Sequence, residues 1–211
     1  MIKVIIADDH RMFRESLKKV LMLDKIAEVL GEAENGLELL ELLEVHTPDI
    51  ILMDIAMPEM NGVEATKKAL QKQPNVKILA LSGFDDDKYY YSMVEAGVKG
   101  FVLKNSGIAE LKNAINEIYN NNSWFSSELM QKVISKLNAK TKKNKSAELS
   151  ERELEILHLI CESLTNDQIA EKLNLSSETI KWHRSNLLEK TGCFNTAGMV
   201  IYAIKNQLIE V

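Results

Sequence analysis

The chain has 211 residues, of which 45% are hydrophobic and 27% are charged, and its net charge is −5. This composition is typical of two modest globular domains and excludes a largely disordered chain. No apolar run approaches the roughly 18–20 residues that cross a bilayer, and the first residues do not resemble a signal peptide, so we expect a soluble, cytoplasmic protein. The two cysteines, Cys161 and Cys193, are too few for a disulfide framework and lack metal-ligand spacing.

The first 120 residues alternate short apolar runs with amphipathic stretches. The runs at 3–7, 28–33, 49–53, 77–81 and 99–103 predict strands. The stretches near 12–22, 36–45, 63–72, 87–96 and 107–120 predict helices, with Asn35 and Ser106 as N-caps. Because the strands are apolar on both faces, helices should cover both sides of the sheet. The pattern predicts an α/β fold with a doubly wound, five-stranded parallel sheet.

A lysine-rich segment separates this region from the rest of the chain. Residues 132–147 contain six lysines and no acidic residue, whereas residues 1–131 carry a net charge of −7 and residues 148–211 one of −4. We therefore predict a first domain at 1–122, a linker helix and lysine-rich linker at 123–147, and a second domain at 148–211. The apolar spacing of the second domain is helical, and capping patterns at Ser150–Glu153, Thr165–Gln168 and Ser176 predict an all-α domain.

Polar residues follow alternating strands where each strand ends. Asp8 and Asp9 follow the first strand, Asp54 ends the third, Ser82 the fourth and Lys104 the fifth. In open parallel sheets the carboxyl ends of the strands form the ligand site. Three converging carboxylates would repel each other, so we predict a bound divalent cation, and hard oxygen ligands favour Mg²⁺. A lysine and a hydroxyl around a free carboxylate suit a phosphoryl group, so the site is predicted to hold an aspartyl phosphate.

Each of these residues alone has an ordinary structural explanation. An Asp-Asp pair after a strand is often a helix-capping turn, Lys104 alone would be a surface lysine, and Ser82 alone would be a loop hydroxyl. Their combined placement at the strand ends favours a functional site. His10, beside the acidic pair, is expected to be exposed and receives no catalytic role.

The first 120 residues resemble the receiver domain of two-component response regulators. The motifs that carry the resemblance are DDH (8–10), DIAMP (54–58), Gly62, SGF (82–84) and AGVKGFVLK (96–104). The resemblance implies that Asp54 accepts a phosphoryl group from a sensor histidine kinase. It also implies that Asp9, Asp54 and the backbone carbonyl of Ala56 hold Mg²⁺, with Asp8 helping directly or through water.

The same resemblance implies a switch around the phosphoryl group. Lys104 would pair with the phosphoryl oxygens, and Ser82 would move toward the phosphate. Phe101 would follow Ser82 inward as the aromatic switch residue.

Residues 148–211 resemble the LuxR-type helix-turn-helix domain of the NarL/FixJ class. The resemblance covers LSERELEIL (149–157), TNDQIAEKL (165–173), LSSETIKWH (175–183) and AGMVIYAI (197–204). It implies that a helix at 166–173 precedes a recognition helix at 177–190, which enters the major groove. Two positions depart from the family pattern. Ser163 replaces a common Gly, which would strain the turn by about 1 kcal/mol, and Thr196 replaces a common Arg.

The recognition helix carries the predicted DNA contacts. Helical spacing places Ile180 and Leu187 inward and His183 partly so. By resemblance, the base-reading residues are Lys181, Trp182 and Ser185, and the phosphate-contacting residues are Thr179, Arg184 and Lys190. The alternative for Trp182 is partial packing on a neighbouring helix.

The closing helix is interpreted as the dimer surface. Its apolar residues are Met199, Val200, Ala203 and Ile204, and the same stripe is also compatible with an ordinary core. Because the second domain has a net charge of −4, its non-specific affinity for DNA should be weak, which makes dimerisation on a two-fold DNA site important.

These features together predict a phosphorylation-controlled transcription factor that forms a homodimer and binds double-stranded DNA. Such a protein is not an enzyme beyond dephosphorylating itself. One alternative is an Asp-nucleophile phosphatase, although that chemistry usually needs a second acid where this chain has Ala56. The other is a phosphate-independent regulator or interaction module with a vestigial site.

Overall fold

The computed structural model describes residues 1–83, 87–125, 149–206 and 208–209, with residues 87 and 88 described through their backbone alone. The described residues divide into two compact units, with the boundary between Phe125 and Ser126. Phe84 and the predicted linker from residue 126 to 147 lie outside the described residues. Within the described parts, no helix has the length and apolar character that a membrane crossing requires.

The first unit contains a five-stranded parallel sheet with the strand order β2-β1-β3-β4-β5. The strands are β1 (Ile2–Ala7), β2 (Ala27–Ala33), β3 (Ile50–Asp54), β4 (Lys77–Ser82) and β5 (Gly100–Leu103). The helices are α1 (Arg11–Leu23), α2 (Gly36–Val45), α3 (Gly62–Lys72), α4 (Asp87–Ala96) and α5 (Ile108–Tyr119). The predicted doubly wound parallel sheet is confirmed.

Apolar side chains fill both faces of this sheet. On one face, the core joins strand residues to α1 and α5, and its members include Val4, Ile6, Leu52, Leu79, Leu17, Leu21, Leu111 and Ile115. On the other face, Ile5, Ile51, Met53 and Ile78 are buried completely, on the side where α3 contacts both α2 and α4. The strand residues buried in these two faces are apolar, and the buried polar strand residues Asp54 and Ser82 lie at the strand ends, where ligand sites of such sheets form.

The two predicted helix caps of this unit have different outcomes. The Asn35 side chain accepts hydrogen bonds from the backbone N–H groups of Leu37 and Glu38 and caps α2, as predicted. The Ser106 prediction is wrong, because Gly107 occupies the N-cap position of α5 without a side-chain cap. The backbone N–H of Ser106 bonds to the carbonyl of Leu103 at 2.9 Å, which places Ser106 in the turn that leaves β5.

A short segment after α5 pairs with β5. The Trp124 N–H donates to the Lys99 carbonyl at 3.0 Å, and the Phe101 N–H donates to the Trp124 carbonyl at 2.8 Å. A Cβ atom on Gly100 would lie 2.6 Å from the Trp124 carbonyl oxygen, so this approach requires glycine. The first unit therefore extends to Phe125, past the predicted boundary at residue 122.

The second unit consists of four helices in its described residues. They are α6 (Glu151–Cys161), α7 (Asn166–Leu173), α8 (Ser177–Thr191) and α9 (Thr196–Lys205). The predicted capping boxes at Ser150–Glu153 and Thr165–Gln168 are both present, and Ser176 caps α8. Asn174 ends α7 in the left-handed conformation, which reverses the chain sharply into α8. The predicted all-α helix-turn-helix arrangement is confirmed.

The turn between α6 and α7 confirms the expected strain at Ser163. This residue has a φ of 64°, which places its backbone in the left-handed region. Residues with a Cβ atom adopt this region at a steric cost. Its N–H bonds to the Ile160 carbonyl at 3.0 Å, so the conformation is fixed by the end of α6.

We expect the Ser163→Gly substitution to stabilise the second unit by about 0.5–1 kcal/mol, because glycine adopts this conformation without steric cost. Urea titrations of the full chain, followed through the backbone amide signals of residues 149–206, measure the change. Ser185→Gly is the matched control. Because Ser185 lies inside α8, this substitution should lower the free energy of unfolding of the second unit by about 0.5 kcal/mol. A lower free energy of unfolding for the Ser163→Gly chain than for the unchanged chain would contradict the inferred strain.

Candidate functional site

The acidic site forms where β1 and β3 end side by side. These two strands are neighbours although α1, β2 and α2 lie between them in sequence, so their carboxyl ends border the crevice at which the strand order reverses. Asp8 directly follows β1 and is completely buried, and Asp54 is the last residue of β3 and is 2% exposed. Asp9, by contrast, is exposed. The structure thus brings together the three carboxylates that the sequence predicts.

Lys104 reaches this acidic group from the end of β5. Its Nζ lies 2.7 Å from Asp8 Oδ2 and 2.8 Å from Asp54 Oδ2, so one ammonium group pairs with two buried carboxylates. The same Nζ lies 5.2 Å from the ring centroid of Phe13, within the range of a cation–π contact. The backbone N–H of Lys104 donates to the Ser82 carbonyl at 2.8 Å, which fixes the start of the side chain against β4.

Burial and charge act against each other at this site. Burial raises the pKa of the Asp54 carboxyl above its ordinary value and repulsion from Asp8 adds to the effect, whereas the Lys104 hydrogen bond opposes it. Burial also disfavours the charged form of Lys104, but its bonds to Asp54 and Asp8 outweigh this cost and raise its pKa. The ammonium group therefore stays charged and holds the carboxylates together.

A tight loop positions the Asp54 carboxylate. Its Oδ1 accepts a hydrogen bond from the backbone N–H of Ile55 at 2.7 Å. The Gly62 N–H then donates to the Ile55 carbonyl at 2.9 Å. A Cβ atom on Gly62 would lie 2.2 Å from the Asp54 carbonyl oxygen, so only glycine allows this closure. Ala56, which follows Ile55 in this loop, is exposed.

The contacts of two residues at the site were not predicted from the sequence, which assigned His10 no catalytic role and did not single out Arg14. His10 is exposed as expected, but its Nδ1 lies 2.8 Å from Asp9 Oδ1 and 3.2 Å from Asp8 Oδ1. Arg14 is 5% exposed, and its guanidinium donates to the Asp8 carbonyl and to Glu34 Oε1, both at 2.5 Å. The direct sequence adjacency of His10 to the acidic pair was the available signal, whereas Arg14 lies in an ordinary amphipathic helix pattern.

The donor set fits a hard divalent cation. One ligand atom from each of Asp8, Asp9, His10 and Asp54 lies within 4.8 Å of the others. Three of these donors are carboxylate oxygens, which Mg²⁺ prefers, and the exposed side of the cluster leaves room for water ligands. Lys104 supplies a single positive charge to this group, so a divalent cation would complete its neutralisation.

The predicted switch residues form a buried cluster next to the site. Ser82 ends β4 at 1% exposure, and its Oγ lies 3.2 Å from the hydroxyl oxygen of Tyr90 on α4. The Tyr90 and Phe101 rings meet edge to face, with centroids 5.2 Å apart. Phe101 is already buried at 5% exposure, and its ring also contacts Phe125. The contact between Ser82 and Tyr90 was not predicted from the sequence pattern.

In the second unit, α8 presents the predicted base-reading residues at the surface. Ile180 and Leu187 are completely buried, whereas Lys181 and Ser185 are exposed. Lys181 forms an ion pair with Glu178 at 2.6 Å, and Trp182 is 60% exposed. The Trp182 ring meets the His183 ring of the same helix edge to face, at 4.8 Å between centroids. An exposed face with a lysine, an indole and a hydroxyl is suited to major-groove contacts.

The three predicted phosphate-contacting residues all have partners inside the domain. Arg184 donates to Asn166 Oδ1 at 2.9 Å and to Thr196 Oγ1 at 3.1 Å, and burial lowers its pKa to about 10. Thr179 completes the cap of α8 through a 2.8 Å hydrogen bond with Ser176.

Lys190 has a comparable internal partner. Its Nζ lies 2.8 Å from the Glu153 carboxylate, which also completes the α6 capping box. Arg184 and Lys190 therefore join α8 to the helices around it.

The structure contradicts the interpretation of the closing helix as a dimer surface. Met199, Val200, Ala203 and Ile204 are all buried within the single chain, with at most 6% of each side chain exposed. Helix α9 contacts both α6 and α8. The alternative that this stripe is core agrees with the burial, because a side chain already covered by its own chain is not available to a second copy.

Both units match known protein families. Residues 4–116 match the response regulator receiver domain, and residues 147–203 match the bacterial regulatory proteins of the luxR family. The chain is 38% identical over 211 residues to the transcriptional regulatory protein LiaR of Bacillus subtilis, with 100% of both chains covered. It is 34% identical over 209 residues to the response regulator protein VraR of Staphylococcus saprophyticus, with 99% of both covered.

Solved structures show the same architecture. One is the response regulator ChrA of a heme-sensing two-component system, with a TM-score of 0.53, 27% identity and coverage of 99% of this chain and 98% of that one. Another is a structure of two RcsB dimers bound to two parallel DNAs, with a TM-score of 0.58, 25% identity and coverage of 97% and 98%. Since both family matches and the full-length relatives agree, the chain belongs to the LuxR-type response regulators of two-component systems, phosphorylation-controlled transcriptional regulators that bind DNA.

Proposed function

We propose that Asp54 is the phosphoacceptor of this regulator and that a sensor histidine kinase supplies the phosphoryl group. The observation that carries the proposal is the position of the Asp54 carboxylate, which ends β3 beside Asp8 and pairs with Lys104 at 2.8 Å. A carboxylate oxygen of Asp54 attacks the phosphorus atom of a phosphohistidine. The P–N bond breaks, its electron pair returns to the imidazole nitrogen, and an acyl phosphate remains on Asp54.

The acidic cluster supports Mg²⁺ as the cofactor of this transfer. Asp9, Asp54 and the backbone carbonyl of Ala56 would hold the ion, and Asp8 would contribute directly or through water. When bound, Mg²⁺ neutralises the charge on the phosphoryl oxygens during the transfer. Lys104 would exchange its contact with a carboxylate for one with a phosphoryl oxygen, which keeps its positive charge paired throughout.

The hydroxyl of Ser82 and the ring of Phe101 are proposed to respond to the phosphoryl group. Ser82 Oγ would donate to a phosphoryl oxygen, and the packing of Phe101 would adjust to the space that Ser82 leaves. Support comes from their burial in one cluster directly beside the end of β4.

Two other functions are less well supported. A phosphatase with an Asp nucleophile usually carries a second acid two residues later, and Ala56 has no group that transfers a proton, so hydrolysis is limited to slow self-dephosphorylation. A vestigial, phosphate-independent site would not need Asp9, Asp54, Ser82 and Lys104 together, and all four are present at the strand ends.

For the second unit, we propose that α8 enters the major groove of double-stranded DNA. Lys181, Trp182 and Ser185 would contact base edges, since they form the exposed face of the helix. Thr179 and the half-exposed Lys190 would contact phosphates, whereas Arg184 would mainly hold the recognition helix in position through Asn166 and Thr196.

The activated regulator is proposed to bind DNA as a homodimer. A domain with a net charge of −4 gains little non-specific affinity from phosphates, so two linked copies are needed to bind a two-fold site tightly. The dimer surface must lie outside the buried stripe of α9. A regulator of this kind acts where the chromosome lies, so we assign it to the cytoplasm.

The Asp54→Asn substitution should abolish labelling of the chain by radioactive acetyl phosphate, because it removes the nucleophilic oxygen while keeping the shape of the side chain. Chelation of Mg²⁺ should stop labelling of the unchanged chain as well. Asp24→Asn is the matched control, since Asp24 is an exposed residue at the end of α1 and should leave labelling intact. Acid-stable labelling of the Asp54→Asn chain would refute the assignment.

We expect Lys181→Ala to weaken binding by about tenfold or more to a DNA site selected from a random pool, and to relax discrimination at one base position. Lys68→Ala controls for the loss of one lysine, because Lys68 also pairs with a glutamate on its own helix, at 2.8 Å, but lies in the first unit. Equal losses on all DNA sequences would indicate a phosphate contact instead.

Trp182→Ala gives a companion measurement in the same binding assay. Binding should weaken while the unfolding free energy stays nearly unchanged, because the indole is mostly exposed. A large loss of stability would support the packing alternative.

Phosphorylation should shift the full chain toward a dimer and tighten its binding to the selected DNA. Sedimentation equilibrium and a DNA titration at one fixed salt concentration, with and without acetyl phosphate and Mg²⁺, measure both changes. The Asp54→Asn chain should show neither. If the phosphorylated and unphosphorylated chains have the same assembly state and the same affinity, the proposed activation step is wrong.

A further inference from the structure

We propose that Tyr90 is a positioning residue that holds Ser82 in the resting state and thereby restrains phosphorylation of Asp54. The inference rests on the proposed function, since it assigns a form of regulation to the same site. It starts from one contact. Ser82 Oγ lies 3.2 Å from the Tyr90 hydroxyl oxygen, and the two residues are only 1% and 4% exposed.

The Ser82 hydroxyl can point toward only one of two partners at a time. In the resting arrangement its Oγ lies 3.2 Å from the Tyr90 hydroxyl oxygen, with either hydroxyl able to be the donor, and turning toward a phosphoryl group on Asp54 would break this contact. A buried hydrogen bond of this kind is worth about 0.5–1.5 kcal/mol, which corresponds to about a two- to tenfold change in an equilibrium. The Tyr90 hydroxyl therefore sets how readily Ser82 turns toward the phosphoryl site.

Tyr90 also contacts the second residue of the switch. Its ring meets Phe101 edge to face at 5.2 Å between centroids, and Phe101 in turn lies 5.9 Å from Phe125. The Phe101 N–H donates to the Trp124 carbonyl, so the backbone of the same residue is tied to the segment that leaves the first unit. A single tyrosine thus touches both groups that are expected to rearrange on phosphorylation.

The Tyr90→Phe substitution tests the proposal because it removes only the hydroxyl and keeps the ring on Phe101. The measurement is the initial rate at which the full chain is labelled by acetyl phosphate at saturating Mg²⁺. We expect the rate to rise by about two- to tenfold, because Ser82 is released from its resting partner. Tyr91→Phe is the matched control. The Tyr91 hydroxyl bonds to Glu95 at the surface of the same helix, so its loss should leave the rate unchanged.

A second pair of variants separates positioning from a general structural effect. In the Ser82→Ala background, Tyr90→Phe should change the rate no further, because the hydroxyl that Tyr90 holds is already absent. An equal effect in both backgrounds, an unchanged rate or a lower rate would overturn the proposal.

Failure of the proposed function gives a different result. If the unchanged chain is not labelled on Asp54 at all, the phosphoacceptor assignment fails, and this inference falls with it. If the unchanged chain is labelled normally and Tyr90→Phe matches it, only the role of Tyr90 is refuted.

Discussion

Two carboxylates at the ends of neighbouring strands are both withdrawn from water, and the ammonium group of Lys104 lies between them. An unpaired buried charge costs several kcal/mol, so this contact is a condition for placing Asp8 and Asp54 side by side. The strand order dictates where the charges meet, because β1 and β3 are adjacent while β5 lies two strands further along the sheet. Lys104 spans that distance with its long side chain and is fixed at its base by the Ser82 carbonyl.

If Asp54 is the phosphoacceptor, as proposed, this arrangement would make activation an exchange of hydrogen-bond partners within the buried site. In the proposed activation, Lys104 would move from a carboxylate to a phosphoryl oxygen, and the Ser82 hydroxyl would move from Tyr90 to the phosphoryl group. Each exchange would replace one buried polar contact by another, so the two states of this proposal would differ by only a small free energy. A tenfold change in their populations needs about 1.4 kcal/mol, which is within the range of one charge-assisted hydrogen bond.

The sheet and the site were largely predictable because both follow from strong regularities of sequence. Apolar runs covered on both faces identify the strands to within a residue or two, and parallel strands bring their terminal residues to one side of the sheet. Arg14 was not predictable, since a guanidinium that supports the Asp8 carbonyl has the same sequence signature as an exposed helical residue. The prediction that Ser106 caps α5 was wrong because the Ser106 N–H bonds to the Leu103 carbonyl in the turn that leaves β5.

The second domain shows another limit of periodicity. An apolar stripe on a helix has the same sequence pattern whether it packs against its own domain or against a second copy of the chain. The apolar residues of α9 pack within their own domain. Helical spacing also does not show which partner a charged side chain will bind. Arg184 and Lys190 lie on α8, but Asn166 and Glu153, to which they bind, lie 18 and 37 residues away in sequence and cannot be deduced from helical spacing.

The pairing of Trp124 with β5 has a consequence for the solubility of the first unit. β5 is an outermost strand, and a bare outermost strand offers its unpaired N–H and carbonyl groups as a template for intermolecular pairing and aggregation. The residues after α5 occupy those groups at Lys99 and Phe101. A receiver fragment that ends before Ser123 would lose the Trp124 bonds to the Lys99 carbonyl and the Phe101 N–H at this edge, whereas a fragment that continues through Phe125 would keep both groups hydrogen-bonded to Trp124.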